Sequence, residues 1–139
     1  MEKIPFEQLV VGNIYRVRAR NLSFGVFDGQ SFLGIREKFG SRYLDREFYK
    51  DGTGMGGTAS PTELLGRVPE GIPLTREDVE YGIRDRVTER KVGFDKPVVD
   101  GGKGWFFADT GESSKEIRPT SRQNQKLFDY LNSLDLLAL

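Results

Sequence analysis

Between Asn13 and Tyr49 the chain alternates polar and apolar residues in four short runs, each separated from the next by only a few residues. The first run, Asn13 to Arg20, places Tyr15, Val17 and Ala19 on one face and Arg16, Arg18 and Arg20 on the other. A period of two is the mark of a half-buried strand. Leu22 to Phe27 gives a second strand, ending at Asp28-Gly29, a hairpin signal. Phe32 to Phe39 and Arg42 to Tyr49 give a third and a fourth, joined through Gly40-Ser41. Connections this short cannot hold the crossover that parallel strands need, so the four runs are expected to form an antiparallel meander.

Beyond the meander the signals change. Asp51 to Pro61 is a glycine-rich loop, and Thr62 to Gly66 is expected to add one helical turn before Pro69, Gly71 and Pro73 deny regular structure. Thr75-Arg76-Glu77-Asp78 resembles a helix start, with Thr75 as N-cap and acidic residues in the first turn, and Gly82 stops it early. Val87 to Phe94 and Gly104 to Ala108 read as two further strands. The final helix, about 121–137, opens on Thr120 with Gln123 three residues on, a capping-box pattern. Leu127, Leu131, Leu134 and Leu137 share one helical face, with Phe128 beside them. So apolar a terminus needs cover, from its own sheet or from a second subunit. The expected fold class is α+β: an antiparallel β-sheet (a meander in the N-terminal half) with a short middle helix and a C-terminal helix. A chain of 139 residues suits a single domain, 1–139.

The chain has no histidine and no cysteine, which closes the common routes to general-base, zinc and thiol chemistry. Binding is therefore the first expectation, with no cofactor and no metal. No apolar run approaches the ~20 residues that span a bilayer, and Met1-Glu2-Lys3-Ile4-Pro5 lacks a signal-peptide core. Cytoplasm is the default location. Formal net charge is zero, so neither a membrane surface nor a long nucleic acid is expected as partner. Residues 1 to 50 carry a balance of +3 and residues 51 to 139 one of −3, which suits a localised anion pocket better than a polyanion track.

Four clusters carry candidate chemistry. Arg16, Arg18 and Arg20 repel one another unless cross-strand carboxylates, water or an anion stabilise them. They form either a solvated face with Glu37 or Glu47 opposite, or a corner at Arg20-Asn21 aimed at a phosphate. Arg36, Lys38 and Arg42, interleaved with Glu37 and Glu47, offer guanidinium forks and an ammonium suited to phosphate oxygens, with Phe39 and Tyr43 near enough to stack on a base. The alternative there is a solvated or structural strand pair. The loop ending in Gly57 and Thr58 has backbone N–H groups open to close approach, without a Walker or Rossmann pattern. Trp105-Phe106-Phe107, with Arg118, Arg122 and Asn124 at the helix start, could pair stacking with an anion site at a helix N-terminus. Asp45, Glu47, Asp51 and Asp109 are available for acid–base or magnesium chemistry, and their spacing singles out no pair.

The order of these segments resembles a known family. Arg18-Ala19-Arg20-Asn21-Leu22, Gly25-Val26-Phe27, Phe32 through Gly40, and Arg42-Tyr43-Leu44 with Glu47 carry the likeness. Gly57-Thr58 with Pro61, Gly104-Trp105-Phe106, Asp109-Thr110-Gly111-Glu112, and Pro119-Thr120-Ser121 with Asn124 extend it. The chain is similar to the Thoeris anti-defence 1 family, phage sponges that sequester cyclic ADP-ribose signals of bacterial TIR-domain immunity; some members hold cyclic oligonucleotides. The resemblance implies a non-catalytic nucleotide sponge in the host cytoplasm that works as a homo-oligomer, a dimer or larger. Chosen by chemical type in and beside the matching motifs, the expected ligand contacts are Arg20, Asn21, Arg36, Lys38, Arg42, Gly57, Thr58, Phe107, Arg118, Arg122 and Asn124. The competing readings are a metal-dependent phosphodiesterase using Asp45, Glu47 and Asp51, and a protein- or nucleic-acid-interaction module using the Arg16, Arg18 and Arg20 face.

Overall fold

The computed structural model describes residues 2–20, 22–38, 41–52, 57–74, 98–100, 105–107 and 125–136. Strands β1 (Asn13–Arg18), β2 (Phe24–Phe27), β3 (Ser31–Lys38) and β4 (Ser41–Phe48) form the expected meander. The β2–β3 turn follows from Asp28-Gly29. The Asp28 carboxylate accepts the backbone N–H groups of Gln30 (2.9 Å) and Ser31 (2.7 Å), while Gly29 takes a φ of +107°. In the β3–β4 pair Lys38 stands opposite Ser41, which sets Arg36 opposite Tyr43 and Gly34 opposite Asp45.

One element differs from the sequence reading. Residues Ser60–Arg67, expected to include a helical turn at 62–66, form a strand, β5, that pairs antiparallel with β1. The sheet order is therefore β4-β3-β2-β1-β5. Pro61 sits in an outer strand opposite Val17, next to a register shift, the setting in which a strand tolerates a residue with no N–H. The two edges of this sheet meet at one end through a parallel bridge between Tyr49 and Ala59. There Lys50 donates its N–H to the Ala59 carbonyl (2.8 Å) and Ala59 donates to Phe48 (3.0 Å). The sheet thus curls toward closure.

Alternation sorts the core onto two faces. Ile14, Phe24, Val26, Leu33, Ile35 and Leu44 form one, and Leu127, Phe128 and Leu131 of helix α1 (Gln125–Ser133) pack onto it. Tyr15, Val17, Leu22, Phe27, Phe32 and Ala59 form the other, under Ile4 and Leu9 of the N-terminal segment. Helix α1 ends at Ser133, earlier than expected, and Asp135 beyond it adopts a φ of +52°. Leu134 accordingly leaves the apolar stripe and is partly exposed, whereas Phe128, read as flanking, is fully buried. So the apolar helix face is covered, at least through Leu131, by the chain's own sheet.

A second, two-stranded sheet pairs β6 (Val98–Asp100) with β7 (Trp105–Phe107), Val98 opposite Phe107. Strand β7 falls within Gly104 to Ala108, as expected, whereas β6 at 98–100 falls in the stretch expected to be the connecting loop. The middle helix expected from Thr75 and the strand expected at 87–94 lie outside the described residues. No helix among the described residues is long and apolar enough to cross a membrane.

Candidate functional site

Alternation along β3 and β4 puts Arg36, Tyr43, Asp45 and Glu47 on a single face of the sheet. The Arg36 guanidinium bridges both carboxylates, 2.7 Å to Asp45 Oδ2 through Nη1 and 2.7 Å to Glu47 Oε1 through Nη2. The side chains are 13%, 1% and 17% exposed for Arg36, Asp45 and Glu47, so this is a buried network and not a surface pair. The other Glu47 oxygen accepts the Thr58 hydroxyl at 2.7 Å. The network thus ties the β3–β4 pair to the end of the glycine-rich loop.

Burial dominates the electrostatics here. It pushes the Asp45 carboxyl above its ordinary range, against the pull of the Arg36 guanidinium and of the Arg46 backbone N–H. Burial likewise pushes the Tyr43 phenol up to about 12, with Arg36 opposing the rise and Asp45 adding to it. A folded pKa above the unfolded value near 10 means that the folded state holds this proton longer. The contribution is intact below pH 10 and is lost as pH rises toward 12, by on the order of 2 kcal/mol. Urea denaturation at pH 9 and pH 11.5 should show that loss, and Tyr43→Phe should flatten it. An identical pH slope in the variant would place the phenol in water.

Arg42 and Arg16 of the β-sheet are engaged as well. Arg42 donates to Glu37 (2.9 Å) and to the Asn132 side-chain oxygen (2.9 Å), linking β4 to α1. Arg16 pairs with Glu63 of β5 at 3.1 Å, so its carboxylate comes from the strand that the sequence reading missed, not from Glu37 or Glu47. Arg18 and Arg20 are exposed. Lys38 closes β3 opposite Ser41, and Phe107 closes β7 opposite Val98. Asn21, Arg118, Arg122 and Asn124 lie outside the described residues. Arg36, Arg42, Gly57 and Thr58 are therefore brought near the sheet, with both arginines committed to protein acceptors.

Among the described residues a concave site lies elsewhere, at the end of the sheet where its two edges meet. Pro5, Phe6, Glu7, Gln30, Phe48, Tyr49, Asp51 and Gly57 line an open cavity of about 610 Å³. Proline at position 5 precedes a single 3₁₀ turn, Phe6–Gln8, that carries Phe6 and Glu7 to its wall. The Phe6 ring stands edge-on to Phe27 (5.5 Å between centroids) and to Tyr49 (5.4 Å). Ile4 fastens this segment, donating its N–H to the Pro61 carbonyl (2.7 Å) and accepting the Tyr49 hydroxyl (3.0 Å). On the opposite wall the Asp28 turn presents Gln30, and Gly57 donates its N–H to the Tyr49 carbonyl (3.3 Å). A Cβ at Gly57 would overlap the Phe48 carbonyl, so only glycine lets the loop lie this close to β4.

Of this cavity, sequence reasoning found Gly57 and named Asp51 as a carboxylate; it passed over Phe6, Glu7, Gln30 and Phe48. The pairing of Phe6 with Tyr49 is long-range, and an isolated Pro-Phe near a terminus carries no periodic signal. Among the described residues no group of three or more histidine, cysteine, aspartate or glutamate side chains gathers as a metal site. Fold and site together define a small antiparallel β-sheet protein with a buried ion network and an aromatic cavity walled partly by carboxylates. The chain matches no protein-family model, no curated protein and no solved structure.

Proposed function

We propose that this protein binds a cyclic nucleotide of the cyclic ADP-ribose type, or a cyclic oligonucleotide, and sequesters it without cleavage. In that reading it is a phage-encoded anti-defence protein acting as a homo-oligomer in the host cytoplasm, as its resemblance to the Thoeris anti-defence 1 family implies. The observation that carries the binding reading is the cavity beside Gly57: about 610 Å³, within the range of small-molecule sites, with three aromatic side chains and a few polar groups on its wall. The phosphodiesterase alternative draws its ligands from Asp45, Glu47 and Asp51. Two of these already spend carboxylate oxygens on Arg36, which supports storage over metal-assisted hydrolysis.

The test is retention and release. Protein mixed with cyclic ADP-ribose isomers or a cyclic trinucleotide, then freed of unbound ligand and heated, should return the intact nucleotide. Time-dependent, EDTA-sensitive loss of the ligand would favour the phosphodiesterase, and failure to retain any of them would overturn the proposal.

A further inference from the structure

We infer that the buried ion network positions one wall of the cavity: Glu47, held by Arg36, fixes Thr58 through its hydroxyl, and Thr58 fixes Gly57 beside it. That the cavity holds a ligand rests on the binding reading above; that the network places the wall rests on hydrogen bonds within the protein. Arg36, Asp45, Glu47 and Thr58 are not among the lining residues, whereas Gly57 and, from the end of β4, Phe48 and Tyr49 are. The network therefore acts on an occupant through these neighbours, as a positioning device and not as a contact.

Each link in the chain of bonds is short. Arg36 takes one Glu47 oxygen at 2.7 Å and the Thr58 hydroxyl takes the other, also at 2.7 Å. The second is a charge-assisted O–H bond. Glu47 stands opposite the fully buried Phe32 in the β3–β4 register and is itself mostly buried, so it has little water to exchange for the hydroxyl. Arg36 is anchored in turn by Asp45, whose other oxygen accepts the Arg46 backbone N–H at 2.8 Å. Gly57 is held more loosely by its own backbone, its N–H reaching the Tyr49 carbonyl at 3.3 Å. Because a Cβ at Gly57 would overlap the Phe48 carbonyl, this part of the loop lies directly on the backbone of β4, and a shift at Thr58 is passed to the cavity residues there. A wall fixed beforehand spares a ligand the cost of ordering it on binding.

Two variants of the full chain test this. Thr58→Val keeps the shape of the side chain and removes the hydroxyl, and Thr58→Ser keeps the hydroxyl. Amide hydrogen exchange without ligand should quicken about 10-fold at Gly57 and Ala59 in the valine variant, stay within about two-fold in β2 and β3, and return to the parent rates in the serine variant. Calorimetric affinity for cyclic ADP-ribose should fall about 10-fold in the valine variant and recover in the serine one. Unchanged exchange at Gly57 and Ala59 would overturn the inference, as would a uniform rise through the sheet, which would make the bond a part of general stability alone. Faster exchange with unchanged affinity would overturn it as well, because the wall would then not bear on the occupant. The two proposals fail separately. A parent chain that does not bind cyclic ADP-ribose or retain any cyclic nucleotide removes sequestration, and the exchange rates, measured without ligand, then decide alone whether the network positions the wall. Intact retention with equal exchange in all three chains leaves sequestration standing and removes the positioning role.

Discussion

Arg36→Leu should destabilise the fold by about 3 to 5 kcal/mol at pH 7, the range seen when one partner of a buried ion network is removed. The substitution leaves Asp45, 1% exposed, and Glu47, 17% exposed, facing each other without their cation. Neither carboxylate regains water, and each raises the free energy of ionising the other. The Asp45 carboxyl, which burial already holds above its ordinary range, should then rise further. For carboxylates shifted upward the deficit is largest at neutral pH and shrinks as pH falls through the folded pKa, because protonation removes the repulsion. Urea denaturation at pH 7 and pH 4.5 should therefore show a smaller difference from the parent at the lower pH. Adding Asp45→Asn to Arg36→Leu should recover part of the loss at pH 7. A change under about 1 kcal/mol at pH 7 would mean that the network is solvated and that burial is not its governing feature.

Phe128→Ala should have an effect of similar size, about 3 to 5 kcal/mol, by opening a cavity where helix α1 meets the sheet. Phe128 is fully buried with Leu127 and Leu131 against strands whose inward residues include Ile14, Val26, Leu33 and Ile35. Nine residues of helix are too few to persist in water alone, so α1 owes its existence to this contact. Denaturant titration should show the shift in midpoint, and far-ultraviolet circular dichroism before the transition should show part of the helical signal gone. Phe128→Leu, which keeps most of the volume, should lose much less. If alanine at 128 moved the midpoint by under 1 kcal/mol, the helix would have to be docked by residues other than this stripe.

The meander was legible because nothing competes with period-two alternation when turns as short as Asp28-Gly29 follow it. Strand β5 was not, for a specific reason. Its burial runs irregularly along Ser60–Arg67, its register against β1 slips twice, and it contains Pro61. An edge strand with one side partly in water has no strict pattern to show. The charge-dense run from Arg36 to Arg42 reads in the sequence either as a phosphate-binding set or as a structural strand pair. The β3–β4 register shows how Arg36 is held: with Lys38 opposite Ser41, Asp45 and Glu47 fall on the Arg36 face and each engages one of its terminal nitrogens. That outcome follows from the register, and the register follows from a connection of two residues. The aromatic cavity was invisible for the opposite reason, since residues at positions 5–7 meet residues near 30, 49 and 57 only after the sheet has curled.

The pairing of β5 with β1 also sets the order in which this protein can be made. Strands β1 to β4 can zip together as soon as residue 48 has left the ribosome, each finding its partner next door in sequence. The outer edge of β1 cannot be covered until Arg67 emerges to meet Asn13, a closure of much longer range. A four-stranded sheet formed before then would keep an open edge, the kind of edge exposed to pairing with another chain. The length of chain between β4 and β5 therefore sets how much more sequence must follow before that edge can be covered.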